Sequence, residues 1–261
     1  MKIMIVSKPV KSVFKKSLEL AKKLKDVKVF FDSTNGQKYN LPWQKIENFK
    51  GDMIITVGGD GTFLWTSHKT NLPILPLRAE GIGFLTRGDI KDVLKNPEII
   101  IEKKYKIKKY PKINIFGNNA TNEVVISRPK PSKIIKLQLT IDGESFSFMG
   151  DGLIISTPLG STGYNLSAGG PIIYPKLKAF SITPIAPFNS KIKPILIPID
   201  KKIKIDIEKN DCFVILDGNV EKSLSKGESF VVKKGNNLKF VEIKEENFFN
   251  KLKKFFTDKH F

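Results

Sequence analysis

A Gly-Gly-Asp-Gly-Thr run, Gly58 to Thr62, lies where an apolar stretch (Met53, Ile54, Ile55, Val57) gives way to a helix-like one (Phe63, Leu64, Trp65). Glycine lets a backbone turn sharply and come close to a ligand, and the N–H groups that open a helix favour negative charge. The junction suits a nucleotide or a phosphate. Asp60 is the odd residue in it. A carboxylate repels phosphate unless it binds a metal ion or handles the proton of an attacking hydroxyl, and phosphoryl transfer needs such a group.

Three further segments could do chemistry. Ser156 to Pro171, STPLGSTGYNLSAGGP, follows the apolar strand Leu153 to Ile155. Its small hydroxyls and amides can converge on a ligand, and Tyr164 offers a flat face for a base. Composition alone reads equally as an ordinary flexible loop. Just upstream, Gly150-Asp151-Gly152 sets a second carboxylate between glycines, in reach of a ribose or an amide, or else simply in a tight hairpin. Thr121-Asn122-Glu123 precedes the strand Val124 to Ile126. An adjacent Asn and Glu both donate and accept, which suits vicinal ribose hydroxyls, although a surface turn has the same composition. The segment Gly81 to Thr86, GIGFLT, follows an apolar strand. It would flank the Gly58 to Thr62 turn at the carboxyl ends of a parallel sheet, or serve as a tight connection.

The elements that must position these residues fall into two patterns. Up to about residue 100, strand-like segments (Lys2 to Val6, Val27 to Phe31, Asp52 to Val57, Pro73 to Leu77) alternate with helix-like ones, the signature of a parallel sheet covered by helices. Val13, Phe14, Leu18, Ala21 and Leu24 share one face of a helix over Val13 to Leu24. The connection from Asp32 to Gly51 is less regular. Beyond Tyr105 the chain turns to short strands, with hairpin turns at Asp142-Gly143 and Asp217-Gly218. The expected organisation is an α/β domain over 1–100, Rossmann-like with a mostly parallel sheet, then a predominantly β, sandwich-like domain over 101–244. A terminal amphipathic helix over 245–261 carries Phe248, Phe249, Leu252, Phe255 and Phe256 on one stripe. Such a stripe docks on its own domain or a second subunit more often than on a membrane surface.

Composition narrows the function. With 261 residues, 40% of them hydrophobic, the chain can bury a sizeable core. The opening MKIMIVSKPVKS reaches charge and proline too soon for a signal sequence, and no apolar run spans a bilayer. A single cysteine, Cys212, and two histidines, His68 and His260, exclude a multi-cysteine zinc or iron–sulfur site. A cytoplasmic enzyme using carboxylates and magnesium fits best. Lys and Arg number 45 against 26 acidic residues, giving +19. The lysines are spread along the chain without interleaved aromatics, which argues for a solvated surface and against a nucleic-acid partner. The densest stretch, Lys103 to Lys112, reads as a strand with one wet face.

The four chemical segments in this order resemble the NAD kinases. The likeness runs from about Asp52 to Asp217 and rests on Gly58 to Thr62, Asn122-Glu123 and Gly160-Ser161-Thr162-Gly163-Tyr164, with support from Gly83 to Thr86 and Thr183 to Pro187. Lipid kinases share the first of these motifs, and phosphofructokinases carry a close relative of it. The Asn-Glu pair and the GSTGY loop make the resemblance specific.

That resemblance implies phosphorylation of the adenosine ribose 2′-hydroxyl of NAD by ATP or polyphosphate, with magnesium accompanying the donor, in a homodimer or homotetramer. It implies that Asp60 orients or deprotonates the attacking hydroxyl, with Gly61 beside it and Phe84 in the neighbouring turn. Asn122 and Glu123 would hold ribose hydroxyls and Asp151 the nicotinamide side. Thr162, Gly163, Tyr164, Asn165, Leu166 and Ser167 would line the adenine and ribose pocket. Lys133, 11 residues past Asn122, takes a position where relatives place a dinucleotide contact, and reads equally as a surface lysine on a strand edge. Asp217 resembles a late family aspartate and reads equally as a hairpin residue. Arg78-Ala79-Glu80 departs from the Asn-Arg-Gly of many members. His68 reads as a surface or packing residue, and Cys212 as a buried small hydrophobe.

Overall fold

In the computed structural model, residues 1–81, 83–188 and 191–257 are described; Ile82, His260 and the last four residues of the expected 245–261 helix lie outside them. The chain divides into two compact units, Met1–Lys109 with the stretch from Leu238 onward, and Tyr110–Asn237.

The first unit opens with β1 (Lys2–Ser7), α1 (Lys11–Lys23), β2 (Lys28–Asp32), α2 (Ser33–Lys38) and β3 (Trp43–Gln44). It continues with β4 (Met53–Gly58), α3 (Asp60–Lys69), β5 (Ile74–Arg78), α4 (Ile90–Lys95) and α5 (Glu98–Ile101). The strands lie in the order β5-β4-β1-β2-β3, every pair parallel. All six residues of β4 are buried, as expected where helices cover both faces of a parallel sheet. Helix α1 buries Val13, Phe14, Ser17 and Leu20, while Leu18 and Ala21 of the expected face are half-buried. The irregular connection after β2 resolves into α2, capped by the Asp32 carboxylate, which accepts the Asn35 N–H at 3.2 Å. Strand order reverses between β1 and β4. The turns after these two strands therefore face each other at a topological switch point, where open α/β sheets bind ligands.

β6 (Lys106–Ile115) leads from the first unit into the second. There follow β7 (Asn118–Ala120), β8 (Glu123–Ser127), β9 (Ile135–Ile141), β10 (Glu144–Gly150), β11 (Gly152–Ser156), α6 (Tyr164–Ser167), β12 (Ala179–Ile185) and β13 (Ile195–Pro198). β14 (Ile203–Lys209), β15 (Cys212–Leu216) and β16 (Asn219–Leu224) complete the run, and β17 (Ser229–Glu242) returns to the first unit. Six strands form the antiparallel sheet β13-β12-β11-β8-β15-β16, and β10, β9, β14 and the first part of β17 form a second antiparallel group. One core joins their inner faces, with Leu137, Leu139, Ile205 and Phe230 from one group and Ile126, Leu153, Ile155 and Phe180 from the other. That arrangement is the expected β sandwich.

Two details depart from expectation. The division set at residues 100 and 244 gives way to one at 109 and 238, because the last part of β17 pairs in parallel with β5, Phe240 opposite Ile74, and buries Phe240 completely. Alternation along a 14-residue strand carries no sign of where it changes neighbours. Lys112, expected on a wet face, is 3% exposed, and burial pushes its ammonium down to about 8 despite the attraction of Asp217.

Candidate active site

Each half of the chemistry is held by an aspartate that grips consecutive backbone amides. In the first unit Gly59 stands just before α3 and places Asp60 in its first turn. The Asp60 carboxylate accepts the N–H of Phe84 on Oδ2 at 2.8 Å, and those of Leu85 and Thr86 on Oδ1 at 3.0 and 3.1 Å. A carboxylate offers about four acceptor directions, so one is left, on Oδ2. Gly83 is required for this approach: a Cβ there would lie 2.6 Å from Asp60 Oδ1. Around Gly59 and Gly61 a Cβ would meet nothing within 4 Å, so both present open backbone. Beside them runs a cleft of about 310 Å³ whose walls include Ser7, Lys8, Asp32, Thr34, Gly61 and Trp65, at the switch point between β1 and β4.

In the second unit the Asp217 carboxylate does the same for the other motif. It accepts the N–H of Thr121 at 2.6 Å, of Asn122 at 2.8 Å and of Glu123 at 2.9 Å. Asp217 is also the hairpin residue, with φ +45° ahead of Gly218 at +87°. The hairpin reading of it therefore holds, and its carboxylate adds the grip. The Gly160 to Thr162 turn packs on this loop so closely that a Cβ on Gly160 would overlap the Asn122 carbonyl. Thr157 reinforces the contact, donating its N–H to Asn122 O at 2.8 Å and its hydroxyl to Thr121 O at 2.7 Å.

The result is a pair of buried, unsatisfied oxygens. Asn122 Oδ1 and Glu123 Oε2 have no hydrogen-bond partner among the described residues, and Gly163 faces both side chains, 3.6 Å from Glu123 Oε2 and 4.0 Å from Asn122 Nδ2 at its would-be Cβ. Buried polar atoms without partners are rare and costly, so a ligand bearing hydroxyls is the natural complement. Burial, and secondarily the Asp217 charge, push the Glu123 carboxyl up to about 8. In its protonated form this carboxyl both donates and accepts.

The remaining expected residues divide. Thr162 and Gly163 are half-buried beside the pair, Tyr164 is 47% exposed, and Leu166 and Ser167 complete one short turn, their N–H groups bonded to Gly163 O. Asn165 faces inward. It is fully buried, donates to Ser161 O and Pro171 O, and accepts the Thr183 hydroxyl at 2.7 Å, so its amide holds the loop to β12. Asp151 pairs with Arg128 at 2.8 Å, a partner that sequence reasoning missed. Arg128 follows β8 and comes beside Asp151 through the β8–β11 register, which no local pattern announces. Lys133 is exposed in the turn before β9, apart from the Asn122 and Glu123 side chains in the hydrogen bonding. His68 is exposed at the end of α3, and Cys212 is a buried core residue whose thiol burial pushes up to about 12.

Comparison with known proteins decides the family. The ATP-NAD kinase N-terminal domain model matches residues 3–105 and the ATP-NAD kinase C-terminal domain model matches residues 121–243. An NAD kinase from Thermoplasma acidophilum is 33% identical over 230 residues, covering 85% of each chain. The chain belongs to the NAD kinase family. An NAD kinase from Archaeoglobus fulgidus, solved in complex with ATP, is 30% identical and superposes with a TM-score of 0.78 over 97% of this chain and 99% of that one. The yeast NADH kinase complexed with NADH shares the fold, with a TM-score of 0.90 at 24% identity over 100% of this chain and 89% of that one. NAD kinase function follows, the phosphorylation of NAD to NADP. Among the described residues no helix is long and apolar enough to cross a membrane.

One prediction belongs to the Asp217 grip. In Asp217→Asn an amide N–H replaces an acceptor opposite one of three backbone donors. Stability should fall by about 1–3 kcal/mol, and KM for NAD should rise about tenfold, a loss of roughly 1.4 kcal/mol of substrate hold. Urea unfolding and steady-state kinetics check it. An unchanged KM would mean that the loop held by Asp217 does not contribute to binding NAD.

Proposed function

We propose that Asn122 and Glu123 bind ribose hydroxyls of NAD, and that Asp60 receives the proton of the attacking 2′-hydroxyl through Oδ2. One observation carries the reading: consecutive residues each bury a side-chain oxygen with no protein partner, Asn122 Oδ1 and Glu123 Oε2, beside the Gly163 turn. Glu123 donates to one hydroxyl and accepts from its neighbour, which orients a vicinal diol. Asp151, already neutralised by Arg128, serves the nicotinamide side, and Thr162, Tyr164, Leu166 and Ser167 the adenine side. Asn165 acts one step back by shaping their loop, and Lys133 keeps the surface role its exposure fits.

The reaction needs no protein nucleophile. The ribose oxygen attacks the terminal phosphorus in line, the bond to the leaving diphosphate breaks, and Asp60 takes the proton; positioning supplies most of the acceleration. The open backbone at Gly59 and Gly61 accommodates donor phosphates. Among the described residues no group of three or more His, Cys, Asp or Glu is arranged to hold a metal, and three directions of the Asp60 carboxylate are taken by amides. This donor set fits a magnesium ion that would travel on the donor with phosphate and water ligands, leaving Asp60 Oδ2 free for the proton. When bound, magnesium neutralises charge on the donor phosphates. The working form is a homodimer or homotetramer in the cytoplasm.

Purified protein incubated with NAD, magnesium and either ATP or polyphosphate, coupled to an NADP-specific dehydrogenase, tests the donor and the reaction together. NADP should form with ATP. Its absence with both donors would overturn the proposal.

A further inference from the structure

We propose that the C-terminal helix α7 (Phe248–Thr257) is a strap that fixes the loop gripping Asp60, and that Lys251 is its positioning residue. The inference rests on the reading of Asp60 as the proton acceptor. Phe248, Lys251, Leu252 and Phe255 recur at the spacing of one helix face, so Lys251 occupies a place where an apolar side chain is expected. It is 6% exposed. Burying an ammonium is unfavourable unless its donors are used, and a leucine would pack there at less cost.

The ammonium has a specific partner. Lys251 Nζ donates to the Thr86 carbonyl at 2.9 Å and to Glu246 Oε2 at 2.9 Å. Glu246 in turn pairs with the buried Arg87 at 3.5 Å. Phe255 sets its ring edge-on against Phe84, with centroids 4.8 Å apart. Phe84 and Thr86 are two of the three residues whose N–H groups hold the Asp60 carboxylate. The loop is thus gripped from both sides, by Asp60 through its amides and by α7 through the Thr86 carbonyl and the Phe84 ring, with Glu246, just ahead of α7, joining Lys251 to Arg87. Desolvation lowers the Lys251 ammonium below its ordinary value, and Glu246 opposes that shift. Loss of the strap lets the loop drift and carries Asp60 with it. A shift of about an ångström in a positioned group can lower turnover roughly 100-fold.

The test is a double-mutant cycle in the full chain, with Lys251→Met, Asp60→Asn and both together, reading kcat and KM and checking folding by thermal melting. Lys251→Met should lower kcat by about 10- to 100-fold and leave the KM for NAD and ATP within about threefold. In the Asp60→Asn background it should change kcat by less than about twofold, because the group it positions is gone. A purely structural lysine would lower melting temperature and act equally in both backgrounds, which overturns the strap. So does a wild-type kcat in Lys251→Met while Asp60→Asn is impaired, and that outcome leaves the Asp60 reading standing. A wild-type kcat in Asp60→Asn removes both. Phe255→Ala, which keeps the lysine contacts, repeats the cycle if the Met variant fails to fold. It should show a smaller loss of kcat with the same dependence on Asp60, and equal losses in both backgrounds again overturn the strap.

Discussion

Asp60→Asn should lower kcat by roughly 10²–10⁴ at saturating NAD and ATP, because an amide cannot take the proton of the attacking hydroxyl. The same substitution should also destabilise the protein. The Asn carbonyl can still accept from Leu85 and Thr86, but its NH₂ then faces the Phe84 N–H, which now sits 2.8 Å from a carboxylate oxygen. Two donors in opposition cost about 1–3 kcal/mol. A coupled NADP assay and a thermal melt on the same preparation separate the effects. A near-normal kcat would remove Asp60 from the chemistry, and an unaltered melting temperature would remove it from the grip.

The two aspartates explain what the sequence made legible and what it hid. The glycines around Asp60 announce a close approach, and the strand before them is a continuous apolar run, so the turn, its sheet and the direction of the following helix are readable locally. What Asp60 touches is not. Its partners lie 24 to 26 residues away, in a segment that the sequence sets beside this turn or reads as a tight connection, with no sign of which amides the carboxylate takes. Asp217 is a harder case. Asp-Gly marks a hairpin on turn propensity alone, and its φ of +45° bears that out. Yet its carboxylate reaches Thr121, 96 residues back, through the antiparallel pairing of β15 with β8. Local preference and distant contact coincide in one residue, and only the first leaves a trace in the chain. Arg128, Lys251 and the inward turn of Asn165 share this character. Each is set by strand register or helix docking, where one residue of slip would send the side chain elsewhere.

The largest effect on stability as pH changes should come from Glu123. Its carboxyl is held near 8 in the folded protein against about 4.5 when exposed, burial being the main cause and the Asp217 charge the second. Between those values the folded state carries a proton that the unfolded state has released, so stability contributed by this group is full below about pH 4.5 and is lost as pH rises toward 8. The loss is of order a few kcal/mol. Glu123→Gln keeps the shape and the hydrogen-bonding capacity but cannot ionise. In ligand-free protein its stability advantage over the wild type should therefore grow from pH 5 to pH 8 and then level off. Lys112 acts with the opposite sign. Burial lowers its ammonium from 10.5 to about 8, so above that pH the folded state holds fewer protons than the unfolded one, and stability from this group rises. Because Lys112 is present in both proteins, subtracting the two curves isolates Glu123. Urea unfolding at half-unit intervals from pH 5 to 9 measures the difference. Parallel curves would mean that Glu123 is ionised in the folded protein, and that the ribose hydroxyls meet a carboxylate able only to accept.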